Sequence, residues 1–290
     1  MALENNPNLP IEVKAKIFTS ETDDWLPYVA RAIVEDKKSC LVQGGDAGMY
    51  VIIGGVFAGE RDSSVLRLIN RQKGRDEAES IAIMVPQPEM PSLAAESYRD
   101  RIRKVVTALD NEYFGLIVPA SEGIPDWLSS YDRLHRVREK LVLWGDKGGD
   151  CPVAKLYPYI RNKYRLQTED FFIIGTSANL HKEKANSYFN PAYEQLGDKE
   201  GLAYAVMDPD EDKYSKGSVT ILSALPLTRG RDRILVVRES RSADEMIAKA
   251  PQISRMTQLG WLRYSLSVKA QLGRESLIGR IRGYNIGNAA

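Results

Sequence analysis

The sequence predicts an α/β protein, a twisted mixed sheet with flanking helices, followed by a helical C-terminal extension. Three observations predict it. Short apolar runs rich in β-branched and aromatic residues, such as "SIAIMVP" (80–86) and "RILVVRE" (233–239), are bounded by turn-forming residues. Between them, apolar residues recur at helical spacing. The two kinds of segment alternate, but not in strict strand–helix–strand units, which argues for a mixed sheet. The chain of 290 residues is long enough for one large domain, and the reading places that domain at 1–250 and the extension at 251–290.

In chain order, "IEVKAKIFTS" (11–20) alternates as an edge strand does. Residues 22–36 read as a helix capped by Thr22, with Trp25, Val29, Ile33 and Val34 on one stripe. "SCLVQGG" (39–45) and "MYVIIGGVFAG" (49–59) are a strand, a turn and a second apolar segment. Residues 63–75 are helical with Val65, Leu66, Leu68 and Ile69 inward, and 80–86 is a short buried strand ended by proline. An amphipathic helix is expected over 91–109, then strands over 113–121 and 140–146. Residues 152–165 form a helix showing Val153, Leu156 and Ile160 on one face. Phe171 to Ile174 form a buried strand, and the polar residues from 181 are helix-compatible. Strands follow at 201–208, 217–225 and 233–239. A last helix covers 242–250, with Ser242 as cap and Glu245 at the reciprocal position.

Composition narrows the function classes. The formal net charge of +1 implies no bulk attraction to nucleic acid or membrane, and 43% apolar residues exclude a disordered chain. No apolar run approaches the ~20 residues of a membrane span. Cys40 and Cys151 share no CxxC spacing, and with no signal peptide at the start a reduced cytoplasm is the expected setting. His135 and His181 have no partner at metal spacing and no GxSxG accompanies them. Both read as surface or loop residues.

Three constellations carry chemistry. The strand at 171–174 ends in "GTSAN", which gathers backbone N–H groups, hydroxyls and an amide into a cradle for an anion. The bland alternative is a turn plus a helix N-cap. "RQKGRDEAES" (71–80) sets Arg71, Lys73 and Arg75 at a helix end. The helix dipole alone welcomes cations there. A Lys-Gly-Arg turn also suits a triphosphate, with Lys as point charge and Arg as fork. In "KGSVTILSAL" (216–225) Ser218 and Thr220 share a strand face, and Arg238 ends the next strand. An edge strand with polar outer residues is the alternative.

In this order and at these separations, "KGR" (73–75), "MVP" (84–86), "TSAN" (176–179), "GSVTIL" (217–222) and "ILVVRESRSADEMI" (234–247) resemble the Sua5/YrdC/YciO family of threonylcarbamoyl-adenylate synthases. The resemblance covers roughly residues 20–250. It implies a nucleotide-binding domain around a concave basic cavity. It also implies a nucleotidyltransferase that uses ATP, with Mg²⁺ on the triphosphate, bicarbonate and an amino acid. The amine captures bicarbonate as a carbamate, whose oxygen attacks the α-phosphate and expels pyrophosphate. The product, threonylcarbamoyl-AMP in the family, serves a tRNA modification. Lys73 and Arg75 would neutralise phosphate and carboxylate. Thr176, Ser177, Asn179, Ser218, Thr220 and Arg238 would hold the nucleotide.

The family's strand-turn motif that binds the amino acid corresponds to "QGGDAGMYVIIGG" (43–55), which keeps Asp46 and Tyr50 but no threonine or proline. Lys147 stands near the place of a family arginine. Asp46, Tyr50 and Lys147 are therefore the expected substrate contacts, for an amine the sequence does not name. Two other readings stand beside the synthase: a nucleotide- or RNA-binding protein without the chemistry, and a carbamoyltransferase relative in a specialised biosynthetic pathway. The tail from Ser254 lies outside the resemblance, and its Arg255, Arg263, Lys269, Arg274, Arg280 and Arg282 face one acid, Glu275. It reads either as a helix docked on the domain or on a second subunit of a homodimer, or as a contact for RNA or a protein partner through 255–290.

Overall fold

The β-branched and aromatic runs form strands because such side chains pack well on a pleated, half-buried surface. The computed structural model describes residues 14–44, 48–60, 63–109, 112–132, 137–143, 152–181, 183, 185–213, 219–225, 234–238, 243–250 and 253–255. Among these residues the strands are β1 (Lys16–Thr19), β2 (Ser39–Gln43), β3 (Tyr50–Phe57), β4 (Ala82–Met84), β5 (Phe114–Pro119), β6 (Ser130–Asp132), β7 (Val137–Leu143), β8 (Phe171–Ser177), β9 (Leu202–Met207), β10 (Thr220–Ser223), β11 (Ile234–Arg238) and β12 (Ile253–Arg255). The helices are α1 (Leu26–Val34), α2 (Ser64–Gln72), α3 (Arg99–Ala108), α4 (Pro152–Tyr164), α5 (Phe189–Leu196) and α6 (Ala243–Lys249).

All the strands join one sheet, in the order β1-β9-β2-β3-β8-β4-β7-β5-β10-β11-β12, with β6 paired to β7. The sheet is mixed, as expected. β3 runs antiparallel to β2 and β8, while β10 runs parallel to β5 and antiparallel to β11. β1 is indeed an edge strand. Helices cover both faces of β3, and two adjacent glycines let them approach. A Cβ on Gly54 would lie 2.3 Å from Val65 Cγ1 of α2, and one on Gly55 would lie 2.5 Å from the Ile33 carbonyl oxygen of α1. Trp25, Val29, Ile33 and Val34 of α1 are buried, as are Val65, Leu66 and Ile69 of α2 and Val153, Leu156 and Ile160 of α4. Leu68, expected inward, is half-buried.

The structure corrects several element expectations. Asp23–Trp25 is a turn of 3-10 helix, and the Thr22 side chain makes no cap bond. α1 proper starts beside Pro27, whose fixed φ suits a first turn. The helix expected over 91–109 begins only at Arg99, after 3-10 turns at Gln87–Leu93 and Glu96–Tyr98. Pro88 and Pro91 there supply no backbone donors. Residues 185–188 are not helical, and the next helix starts at Phe189. β6 and β12 have only three residues each and exist because β7 and β11 offer them ladder partners. β12 also carries the sheet past residue 250. Ser242 and residues 256–290, and with them most of the expected extension, lie outside the described residues. Among the described residues no helix is long and apolar enough to cross a membrane.

Candidate functional site

Glycine separates the two cations of "KGR" for a conformational reason. α2 ends at Lys73, and Gly74 follows with φ +66°. The Gly74 N–H donates to the Arg71 carbonyl at 3.0 Å, and the Arg75 N–H reaches back to the Asn70 carbonyl at 2.9 Å. This is the paired C-terminal cap that a left-handed residue closes. Nothing lies within 4 Å of a Cβ built on Gly74, so backbone conformation and not space demands the glycine. Gly74→Ala is expected to cost about 1 kcal/mol of stability by denaturant unfolding, and Gly74→Asn less. An alanine variant as stable as the parent would refute this account.

The cap turns the chain while Lys73 points inward. Its side chain is fully buried. The ammonium donates to the Ser177 carbonyl oxygen and, at 3.3 Å, to Asn179 Oδ1. Both acceptors are neutral, and among the described residues no carboxylate pairs with Lys73. Its pKa falls to about 7, chiefly by burial and further by the Arg75 charge, with Glu79 acting the other way. Arg75 is held 3.6 Å from Glu79, and its Nε is buried without a hydrogen-bond partner among the described residues. So the first two constellations come together: the cationic turn after α2 meets the end of β8. Arg71, by contrast, points outward to Glu77.

Among the described residues no helix follows directly on β8; its "TSAN" end bends and turns instead, as the bland reading has it, without the N-cap. Asn179 Nδ2 donates to the Leu180 and Glu183 carbonyls at 2.9 and 2.7 Å, so its Oδ1 stays aimed at Lys73. Asn186 Nδ2 donates to the Ala178 carbonyl at 2.6 Å, and the His181 N–H donates to the Lys73 carbonyl at 2.9 Å. His181 itself is exposed, as expected of a loop histidine. Thr176 is buried in β8, and Ser177 pairs with Val51 of β3.

Tyr50 starts β3 at this same end. Its side chain is fully buried, and its hydroxyl donates to Glu211 Oε2 and accepts from the Asp208 N–H, each at 3.0 Å. Burial is the main cause that holds its pKa above the ordinary tyrosine value. Thr220 is buried at the start of β10, four strands from β8 along the sheet. The sheet nevertheless brings the two regions close, because Val219 clusters with Met49, and Tyr113 and Ala185 pack against that cluster. Tyr113 also donates its hydroxyl to the Gly44 carbonyl at 2.5 Å. Arg238 ends β11, where its backbone pairs with Ile221. Ser218, Asp46 and Lys147 lie outside the described residues, as do His135 and Cys151. Cys40 is buried in β2, and burial pushes its thiol up to about 12, so it is no nucleophile at neutral pH.

Asn70 was missed in the sequence. It is fully buried on α2, and its Nδ2 donates to the Glu77 and Glu79 carbonyls at 3.2 and 2.7 Å. That ties the stretch after "KGR" back to the helix. An asparagine beside the apolar stripe of 63–75 was the available signal. Asn186 and Gln195, which brace the loop after β8, carried none.

No family model matches the sequence, and no curated protein matches it. By structure, the chain is similar to Sua5 of P. abyssi complexed with L-threonine, with a TM-score of 0.56 and 13% identity over 84% of this chain and 62% of that one. It is similar to a doubly substituted variant of P. abyssi Sua5, with a TM-score of 0.52 and 14% identity over 77% and 59%. A hypothetical protein from Streptococcus mutans aligns with a TM-score of 0.56 and 12% identity over 84% and 98%. The chain thus spans about three-fifths of the length of the Sua5 chains. At these identities the similarity shows the fold: the chain has a divergent Sua5/YrdC-like fold.

Proposed function

We propose that this chain, with its Sua5/YrdC-like fold, is a nucleotidyltransferase that makes a carbamoyl-adenylate from ATP, bicarbonate and an amino acid, and releases pyrophosphate. One observation carries the reading: Lys73 is a buried ammonium held only by neutral oxygens, with Arg75 beside it. Desolvating a cation without a counter-charge is costly. Such an arrangement is characteristic of a site that an anion completes. An ammonium has three donors, and the described contacts use two.

The chemistry asks little covalent help from the protein. The amine nitrogen bonds to the bicarbonate carbon as water leaves, giving a carbamate. A carbamate oxygen then bonds to the α-phosphorus as the bond to the pyrophosphate oxygen breaks. Lys73 and Arg75 would stabilise the charge that gathers on the phosphates. Asn179 aims Lys73, and Thr176, Ser177, Thr220, Ser218 and Arg238 would frame the nucleotide. Asp46 and Lys147 would take the amino-acid side. Tyr50 would join them only by giving up Glu211. Among the described residues no group of three His, Cys, Asp or Glu could hold a metal ion. In this reading Mg²⁺ would arrive with the triphosphate. The fold's presence in a Sua5 complex with L-threonine supports an amino acid as the amine donor.

The test is pyrophosphate release from ATP and bicarbonate across a panel of amino acids, threonine included. Release with a single amine is the expected result and names the substrate. Silence across the panel, with ATP still bound, would overturn the synthase in favour of nucleotide binding without chemistry. Consumption of carbamoyl phosphate instead of bicarbonate would make the protein a carbamoyltransferase.

A further inference from the structure

Three polar groups at the end of α2 leave hydrogen-bonding capacity unused. Lys73 has one donor beyond its two described contacts. Arg75 Nε is a buried donor without a partner among the described residues, and Asn70 Oδ1 is a buried acceptor without one. Asn70 as a whole is fully buried. Its amide nitrogen is spent on the Glu77 and Glu79 carbonyls, at 3.2 and 2.7 Å. Carbonyls cannot donate, so the amide cannot be turned round, and Oδ1 faces away from them. Tying down 77–79 accounts for Nδ2 and leaves Oδ1 unexplained. A leucine would suit a buried helix position better than an asparagine whose acceptor went unused.

The orphan donor and the orphan acceptor belong to one cluster. The Arg75 N–H donates to the Asn70 carbonyl at 2.9 Å. Both side chains meet at Glu79: Asn70 on its carbonyl, and Arg75 Nη1 on its carboxylate at 3.6 Å. Lys73 feels both charges, Arg75 lowering its proton affinity and Glu79 raising it. The grip of Glu79 on Arg75 is loose. It is longer than a hydrogen bond, and the Glu79 side chain is 43% exposed, so water screens the pair. Arg75 therefore sits in a weak contact while two stronger ones are unmade, a forked bond to an anion and a bond to a buried amide oxygen. One movement of the guanidinium off Glu79 and toward Asn70 pairs both orphans.

Resting on the reading of Lys73 and Arg75 as an anion site, we propose that Asn70 is the positioning residue for Arg75 and that Glu79 is its resting partner. An incoming anion takes the guanidinium from Glu79, and Arg75 Nε then donates to Asn70 Oδ1. That bond fixes the angle of the fork and leaves both Nη groups for the anion's oxygens. Glu79 competes with the ligand for Arg75.

The experiment is calorimetric titration of the full chain with inorganic pyrophosphate at about pH 6, below the titration of Lys73. Glu79→Gln is expected to tighten binding about threefold to tenfold, because the competing charge is gone. Asn70→Leu is expected to weaken it about tenfold, as loss of a hydrogen bond to a charged group would. Arg75→Lys keeps a charge and lacks Nε. In that background the effect of Asn70→Leu on affinity should vanish, while its effect on denaturant stability, through the bonds to 77 and 79, should persist. An affinity unmoved or weakened by Glu79→Gln would overturn the proposal. That variant is at the surface and keeps the backbone carbonyl that Asn70 uses, so the fold is not at stake. An equal loss from Asn70→Leu in both backgrounds would make Asn70 purely structural and overturn the proposal as well. A parent that binds no pyrophosphate at millimolar concentration would remove the anion site and this inference with it. Pyrophosphate binding that follows these variants, without turnover on any amino acid, would sink the synthase reading alone.

Discussion

Lys73→Met is expected to cut pyrophosphate release by about two to three orders of magnitude while the protein stays folded. Methionine fills a similar volume and removes only the charge and the donors. The change leaves the Ser177 carbonyl and Asn179 Oδ1 short of a donor, at about 1–3 kcal/mol. It also removes the cost of burying an ammonium, which acts in the opposite direction. Asn179 keeps its own bonds to Leu180 and Glu183, so the loop after β8 holds. Lys73→Arg is not expected to rescue, because a planar fork cannot replace a point charge in a closed slot. Wild-type turnover in a folded Lys73→Met protein would end the site assignment.

The same lysine gives a pH signature. With a folded-state pKa of about 7, Lys73 is largely uncharged in the empty site above that pH. An anion stabilises the charged form, so binding above pH 7 must take up a proton. Nucleotide affinity should therefore fall as pH rises through that range, by about tenfold per unit. The stability term runs the other way. Between about 7 and the ordinary lysine value of 10.5 the unfolded chain holds the extra proton, so this group's contribution to stability rises with pH. Affinity measured by calorimetry from neutral to alkaline pH checks the sign, and a flat profile would contradict it.

Gly55→Ala should be the most damaging of the small substitutions, at about 3 kcal/mol and a drop in Tm of about 6–12 °C. The added Cβ would meet Phe171 Cζ at 2.3 Å and the Ile33 carbonyl oxygen at 2.5 Å. The Phe171 ring packs edge-on against Phe57, with centroids 5.1 Å apart, and cannot simply swing away. The Ile33 oxygen is backbone, so either α1 must withdraw from the sheet or β3 must bend. Gly59 is the control, since nothing lies within 4 Å of its Cβ position. Gly59→Ala should stay within about 0.5 kcal/mol of the parent. Equal thermal unfolding of the two variants would refute the close approach of α1.

Much of the architecture was legible because periodicity is local. The stripe of Trp25, Val29 and Ile33 and the apolar run of 171–174 each specify an element and its buried side from a few neighbouring residues. Pro91 is visible too, and its missing donor keeps the first turns of the 91–109 stretch out of the α-helix. β6 and β12 were invisible, because three residues carry no period and become strands only beside β7 and β11. The residues around the candidate site were legible as types and not as partners. "KGR" announced a turn with two cations, and "TSAN" announced hydrogen-bonding groups at a strand end.

What the sequence by itself determined is the α/β class, the positions of the long elements, the glycine-closed end of α2, and the residue types at both halves of the candidate site. The tertiary structure alone decided that Lys73 reaches oxygens 104 and 106 residues away, and that Tyr50 spends its hydroxyl on Asp208 and Glu211. It alone brought Val219 onto Met49. The physical reason is the range of the forces that encode each. Propensity, capping and amphipathic period act over a turn or a strand, whereas strand order and the curl of a twelve-stranded sheet are settled only when distant apolar surfaces are buried together.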